Sequence, residues 1–273
     1  MNERIVDRAL PIREPWALRE VQPVSIAAIL TLCASAVVFL TLRPTHGIDD
    51  ADITMVYARH IAEGHGYVYM QGGERVEGST SLAWTLLCAL VFATGTRSMI
   101  PLFAMTILLA FATTLAALEL ARRAAGTRAA VIPTALLMAL SPSFFAWSTA
   151  TLMDVALWSA SIAVALLQAI SITSRAWSWR LSVAIVALLL ARPEGVVIAG
   201  VMVLVAFVAC ASSGMGMRAS LRAVLPALVV TAGGFSALVA FRIHYFGYPM
   251  PNTYYAKVGG DFVFTAGRGA VYL

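Results

Sequence analysis

Residues 98–118 read SMIPLFAMTILLAFATTLAAL, 21 positions without a charged side chain. A straight helix of about 20 apolar residues matches the roughly 30 Å hydrocarbon core of a bilayer. Working outward, charge-free gaps recur at 21–42, 78–96, 129–153, 155–174, 195–217 and 223–241, with a shorter one of 11 residues at 181–191. Only one sizeable loop, 43–77, separates them. The pattern predicts an all-α polytopic membrane protein: a helix bundle of about seven spans carrying an amphipathic helical loop on its outer face.

Composition agrees. The chain has 273 residues, 60% hydrophobic and 12% charged, with a mean hydropathy of +0.83. A soluble domain carries roughly 25% charged residues. Half that value excludes a soluble globular domain, a disordered tail and a nucleic-acid binder. The net charge of +5 comes from 19 basic against 14 acidic residues, a surplus that in a membrane protein sets orientation. Cys33, Cys88 and Cys210 all lie in apolar stretches without a CxxC, so they read as buried side chains rather than a disulfide framework. Segment 21–42 has no small-residue cleavage site after it and is expected to stay as the first span.

The arginines orient the bundle. With residues 1–22 cytoplasmic, loop 43–97 falls outside. Segment 78–96 then lies along or dips into the outer face, and 98–120 crosses inward, which places Arg122, Arg123 and Arg128 inside. Segments 129–150, 154–172, 181–191, 195–211 and 223–241 alternate from there. Arg175, Arg180, Arg218 and Arg222 also fall inside. The same scheme gathers Asp49, Asp50, Glu77, Asp154, Glu194 and Lys257 on one outer face. Segment 181–191 is too short to cross as a straight helix, and Pro193 stops it. Arg192 and Glu194 are therefore expected at or below the outer surface, where ionisable groups tend to line a cavity or pair with each other.

Within the loop, residues 51–63 have helical spacing. Ile53, Val56, Tyr57, His60 and Ile61 share one face, and Asp52, Arg59 and Glu63 the other. This predicts an interfacial helix with Asp50 at its N-cap, ended by Gly64 and Gly66, and followed by a turn at Gly72-Gly73. Asp49-Asp50 reads either as a cap with a solvated neighbour or as a general base or divalent-cation ligand. The spacing of His46, His60 and His65 fits no zinc pattern. A cation near the carboxylates would stabilise a phosphate leaving group, and Arg75, Arg192 and Lys257 are the candidates. Tyr254 and Tyr255 also suit an aromatic belt.

Four motifs in order resemble a known family. They are Asp49-Asp50-Ala51-Asp52-Ile53 with the following Gly64-His65-Gly66-Tyr67 and Gly73-to-Trp84 stretches, Thr151-Leu152-Met153-Asp154, Arg192-Pro193-Glu194-Gly195, and Tyr245-Phe246-Gly247 with Pro251-Asn252-Thr253-Tyr254-Tyr255-Ala256-Lys257. Together they resemble GT-C-type membrane glycosyltransferases, which take sugars from polyprenyl-phosphate carriers, and in particular the mycobacterial-type terminal arabinofuranosyltransferases. The resemblance spans residues 23–260. At Asp154 the family usually has Glu.

The resemblance implies an enzyme of the bacterial inner membrane with its active face periplasmic. Asp49 and Asp50 would be catalytic. Arg75, Glu77, Asp154, Arg192, Glu194, Asn252, Tyr255 and Lys257 would bind substrate. A divalent cation (Mg or Mn) would sit on Asp49 and Asp50 if one is used. The implied partners are the lipid bilayer, a polyprenyl-phosphate sugar donor and a glycan or lipid acceptor. Residues 261–273 would begin an outer segment, with the family's C-terminal half either missing or supplied by a second chain. The competing readings are a lipid-linked-sugar transporter, suggested by the broken helix at Pro193, and a non-catalytic subunit that binds the lipid carrier or a partner.

Overall fold

The computed structural model describes residues 22–172 and 179–258, with backbone alone for 256–258. Residues 1–21 with their four arginines, Arg175, and the expected outer segment 261–273 lie outside the described residues. Among those described, every regular element is helical: α1 Pro23–Leu42, α2 Asp49–Ala62, α3 Leu82–Phe92, α4 Ile100–Ala125, α5 Val131–Ala139, α6 Pro142–Thr149, α7 Val155–Ile170, α8 Trp179–Ala191, α9 Gly195–Ser212, α10 Met217–Phe246 and α11 Asn252–Val258.

Four of these, α1, α4, α9 and α10, are long and apolar enough to cross a membrane. With the bent pair α5–α6 counted as one span there are up to five, against about seven expected. Segment 129–150 is not one helix: a short 3₁₀ turn leads into α5, and α6 departs from it with a bend of 71°. Pro142 lacks the N–H that would continue α5 and pushes Ser141 out of the helical region, to φ −111 and ψ 64. Helices α7 and α8 have 16 and 13 residues. Helix α3, at 11 residues, covers about 16 Å, and it packs on α2 rather than crossing.

The helices nonetheless run between two common ends. At one end Ala27 of α1 packs with Leu118 of α4 and Val131 of α5. There too Arg123 donates to the Ser171 hydroxyl and the Cys210 thiol to the Ile172 carbonyl at 3.3 Å. At the other end α2, α3, the start of α4, Leu152 and Ala191 form one buried cluster. The acidic residues gathered by the orientation scheme lie at this second end. Helix α7 sits centrally, against α4, α8 and α9. Its small side chains Ala165 and Ala169 join Leu181, Ile185 and Leu188 of α8 and Ala199 and Ala206 of α9 in the largest core.

The break between α8 and α9 depends on one glycine. A Cβ on Gly195 would stand 2.0 Å from the Leu188 carbonyl oxygen and 2.7 Å from its carbon. Both are backbone atoms and cannot swing aside. Gly195→Ala is expected to destabilise the fold by about 2–4 kcal/mol, the range of strong overpacking and backbone strain. Thermal unfolding in detergent measures it, and a midpoint equal to wild type would refute the close packing of this turn.

Candidate active site

The second end of the bundle carries a cavity of about 600 Å³. Asp50, Ile53 and Thr54 from the first turns of α2 make one wall, and Gly78–Ser81 another. Met153-Asp154 and Arg192-Pro193-Glu194 bring in the charged side. Val196, Val197 and Phe235 supply an apolar flank from α9 and α10, and Met250, Pro251, Thr253 and Tyr254 close the remaining side. All four motifs singled out in the sequence thus contribute to one cavity.

Of the adjacent carboxylates, Asp50 lines the cavity and Asp49 does not. The expected cap at Asp50 is corrected: Ile48 is the N-cap, with φ −92 and ψ 168, and both aspartates stand inside the first turn. The chain is pinned two residues early because the Ile48 N–H donates to the Thr151 carbonyl at 3.3 Å. Asp49, Asp50 and Asp52 then complement the positive end of the helix dipole. The buried face also differs from the expected one. It is Ala51, Thr54, Met55, Tyr57 and Ala58, because the small residues let α2 lie close on α3, while Ile53, Val56, His60 and Ile61 are only half-buried.

Asp154 and Arg192 form a planar fork. Arg192 Nε donates to Asp154 Oδ2 at 2.8 Å, and Nη2 donates to Oδ1 at 2.9 Å. The third group, Nη1, reaches Glu194 Oε1 at 3.3 Å. Asp154 is buried whereas Glu194 is exposed. The Asp154 carboxylate holds the Arg192 guanidinium above its ordinary pKa. Asp154 is aimed by an unusual backbone: Leu152, with φ +56, is a buried non-glycine residue in the left-handed region. Its carbonyl accepts from Trp84 Nε1–H at 2.9 Å. Such a conformation costs about 1–3 kcal/mol and persists where its surroundings over-determine it.

Several expected ligands have a different placement. Glu77 does not line the cavity. It is 3% exposed and is gripped by Arg242, whose Nε lies 3.2 and 3.0 Å from its two carboxylate oxygens and whose Nη2 lies 3.1 Å from Oε1. Asn252 is part of the same staple, its Oδ1 accepting from the Glu77 N–H at 3.1 Å. Arg75 places its guanidinium 4.6 Å over the Tyr245 ring, away from the cavity. Tyr255 is exposed and packs on Tyr248 and Tyr254, and it is Tyr254 that lines the cavity. Lys257 lies in α11, its side chain outside the described residues.

Other participants carried no signal of their own in the sequence. Thr54, Ser79 and Thr85 form a hydroxyl chain, with 3.0 and 2.9 Å links, below the Gly78–Ser81 wall. The Tyr67 hydroxyl joins it by donating to the Ser79 carbonyl at 2.7 Å. Burial pushes the Tyr67 phenol up to about 12, so it serves as a neutral donor. Tyr57 donates to the Val76 carbonyl at 2.6 Å and accepts from the Gly78 N–H at 3.1 Å. Ser81 is the N-cap of α3, yet its hydroxyl caps nothing. It is buried beside the cavity with no protein partner.

Among the described residues no three His, Cys, Asp or Glu side chains gather closely enough to hold a metal ion, and Asp154 and Glu194 are committed to Arg192. Compared with family models, with curated proteins and with solved structures, the chain matches none of them.

Proposed function

We propose that the chain is a membrane glycosyltransferase of the GT-C type, moving a sugar from a polyprenyl-phosphate carrier to a glycan or lipid acceptor at the loop-bearing face. The observation that carries this reading is the joint lining of one cavity by a carboxylate, Asp50, a guanidinium, Arg192, and an apolar flank of Val196, Val197 and Phe235. A lipid-linked donor needs those three things: a base for the acceptor, a cation for the phosphate and an oily wall for the chain.

Asp50 takes the proton of the acceptor hydroxyl as that oxygen bonds to the anomeric carbon. The anomeric C–O bond to phosphate breaks, and its electron pair leaves on the polyprenyl phosphate. Arg192 faces the charge that develops there. Asp154 holds it by two N–H groups and fixes its plane, while exposed Glu194 occupies the third at 3.3 Å and is the partner a phosphate displaces. The face carrying the cavity is periplasmic, and the short helices α7 and α8 cross with the four long ones and the bent α5–α6 pair.

Membranes containing the chain, supplied with polyprenyl-phosphate sugars, should transfer labelled sugar above membranes without it. Failure of the wild type on every donor, alongside retained binding of the lipid carrier, would favour the non-catalytic subunit instead. Within an active preparation, Glu194→Gln should lower the donor KM about two- to fivefold with kcat little changed, since an exposed ion pair is worth about 0.2–1 kcal/mol. A raised KM would contradict the displacement of Glu194.

A further inference from the structure

A second cavity, of about 550 Å³, lies between the C-terminal ends of α2 and α3, outside the site already described. Arg59 and Arg97 both line it, over an apolar floor of Ala62, Phe92 and Ala93. Neither arginine has an ion pair among the described residues. Glu63, the one carboxylate in the lining, stands 3.7 Å from His65 Nε2. The Arg59 guanidinium and the backbone that carries Arg97 are both held. The Arg59 guanidinium rests 5.1 Å over the Phe92 ring. Arg97 sits in a loop closed by Gly95 N–H to the Phe92 carbonyl at 2.9 Å, Ser98 N–H to Thr96 Oγ1 at 3.2 Å and Ile100 N–H to Ser98 Oγ at 3.2 Å.

The apolar surroundings say where a ligand comes from. Leu86 and Leu90 are exposed on the outward face of α3, and Ile100 and Leu108 on one stripe of α4 that starts three residues past Arg97. This stripe belongs to a helix long and apolar enough to cross a membrane, which brings a lipid-facing surface within one turn of Arg97. Two unpaired guanidiniums at the boundary of such a surface match a phosphodiester bidentately. Zwitterionic headgroups carry their own compensating ammonium and match it less well.

We propose that this cavity binds the headgroup of an anionic phospholipid of the bilayer, with the acyl chains lying along the exposed Leu86/Leu90 and Ile100/Leu108 faces and the phosphodiester shared by Arg59 and Arg97. The site is independent of the glycosyltransferase reading, and its test needs no transfer activity.

The full chain, purified in a neutral detergent, is titrated with short-chain phosphatidylglycerol, short-chain phosphatidylcholine or glycerol 1-phosphate while its thermal midpoint is followed. Phosphatidylglycerol should raise the midpoint saturably, and phosphatidylcholine should not. Arg59→Gln and Arg97→Gln should each weaken the half-saturating concentration about tenfold, the worth of a charge-assisted hydrogen bond. Arg218→Gln, at the start of α10, should leave it unchanged. Glu63→Gln should tighten it, because it removes the one opposing charge, and this variant keeps the proposal testable if an arginine variant fails to fold. Equal shifts with both phospholipids, equal shifts with glycerol 1-phosphate, or an unchanged half-saturation in both arginine variants would overturn the proposal.

Discussion

Asp50→Asn should reduce sugar transfer by about 10²–10⁴-fold, the contribution of a general base, while Asp49→Asn retains most of it. The two side chains are neighbours in sequence and share a charge, so composition does not separate them. The helix does. With Ile48 as N-cap, both lie in the first turn of α2, successive residues pointing about 100° apart, and only Asp50 lines the cavity. Asn keeps the shape and removes the basicity, so protein level and thermal midpoint should match wild type. The reading fails if Asp49→Asn is the dead variant, or if both variants transfer at the wild-type rate.

The second large effect falls on stability. Arg242→Met should cost about 3–5 kcal/mol, because it leaves the Glu77 carboxylate buried without its partner. Glu77 and Arg242 are 3% and 4% exposed, and three N–O contacts between 3.0 and 3.2 Å join them. The double variant Glu77→Met with Arg242→Met should recover most of the loss, since apolar groups of similar volume replace a buried ion pair at little cost. Chemical unfolding of the purified chain in mixed micelles gives both numbers. A double variant as unstable as the single one would mean that the Glu77 N–H bond to Asn252 fails along with the ion pair. A single variant as stable as wild type would remove the ion pair from the list of things that hold the loop.

The placement of apolar helices was legible in the sequence because charge gaps mark them directly. So was the gathering of acids at one end, since short loops leave each alternation of the chain a single destination. The helix over 51–63 was legible from its period, and the glycine stops at Gly64 and Gly66 both have φ +83. The gaps said less about length. A charge-free run such as 129–153 contains Pro142, and the missing N–H there divides one run into two helices. The role of Glu77 was not legible at all. Its partner lies 165 residues away in α10, and no local pattern distinguishes a carboxylate aimed at substrate from one aimed at a distant arginine. The N-cap moved for a similar reason, through a backbone bond from Ile48 to Thr151.

The central helix has one more consequence. Helix α7, with 16 residues, rises about 24 Å, whereas the hydrocarbon core of a bilayer is about 30 Å deep. The shortfall of about 6 Å is roughly one helical turn. Asp154 is the N-cap of α7 and lines the cavity. The charged side of the cavity is thereby set at the end of a short central helix, where Asp154 meets Arg192. Adding a single turn at the N-terminal end of α7 would carry Asp154 out of register with Arg192 and break the fork between them.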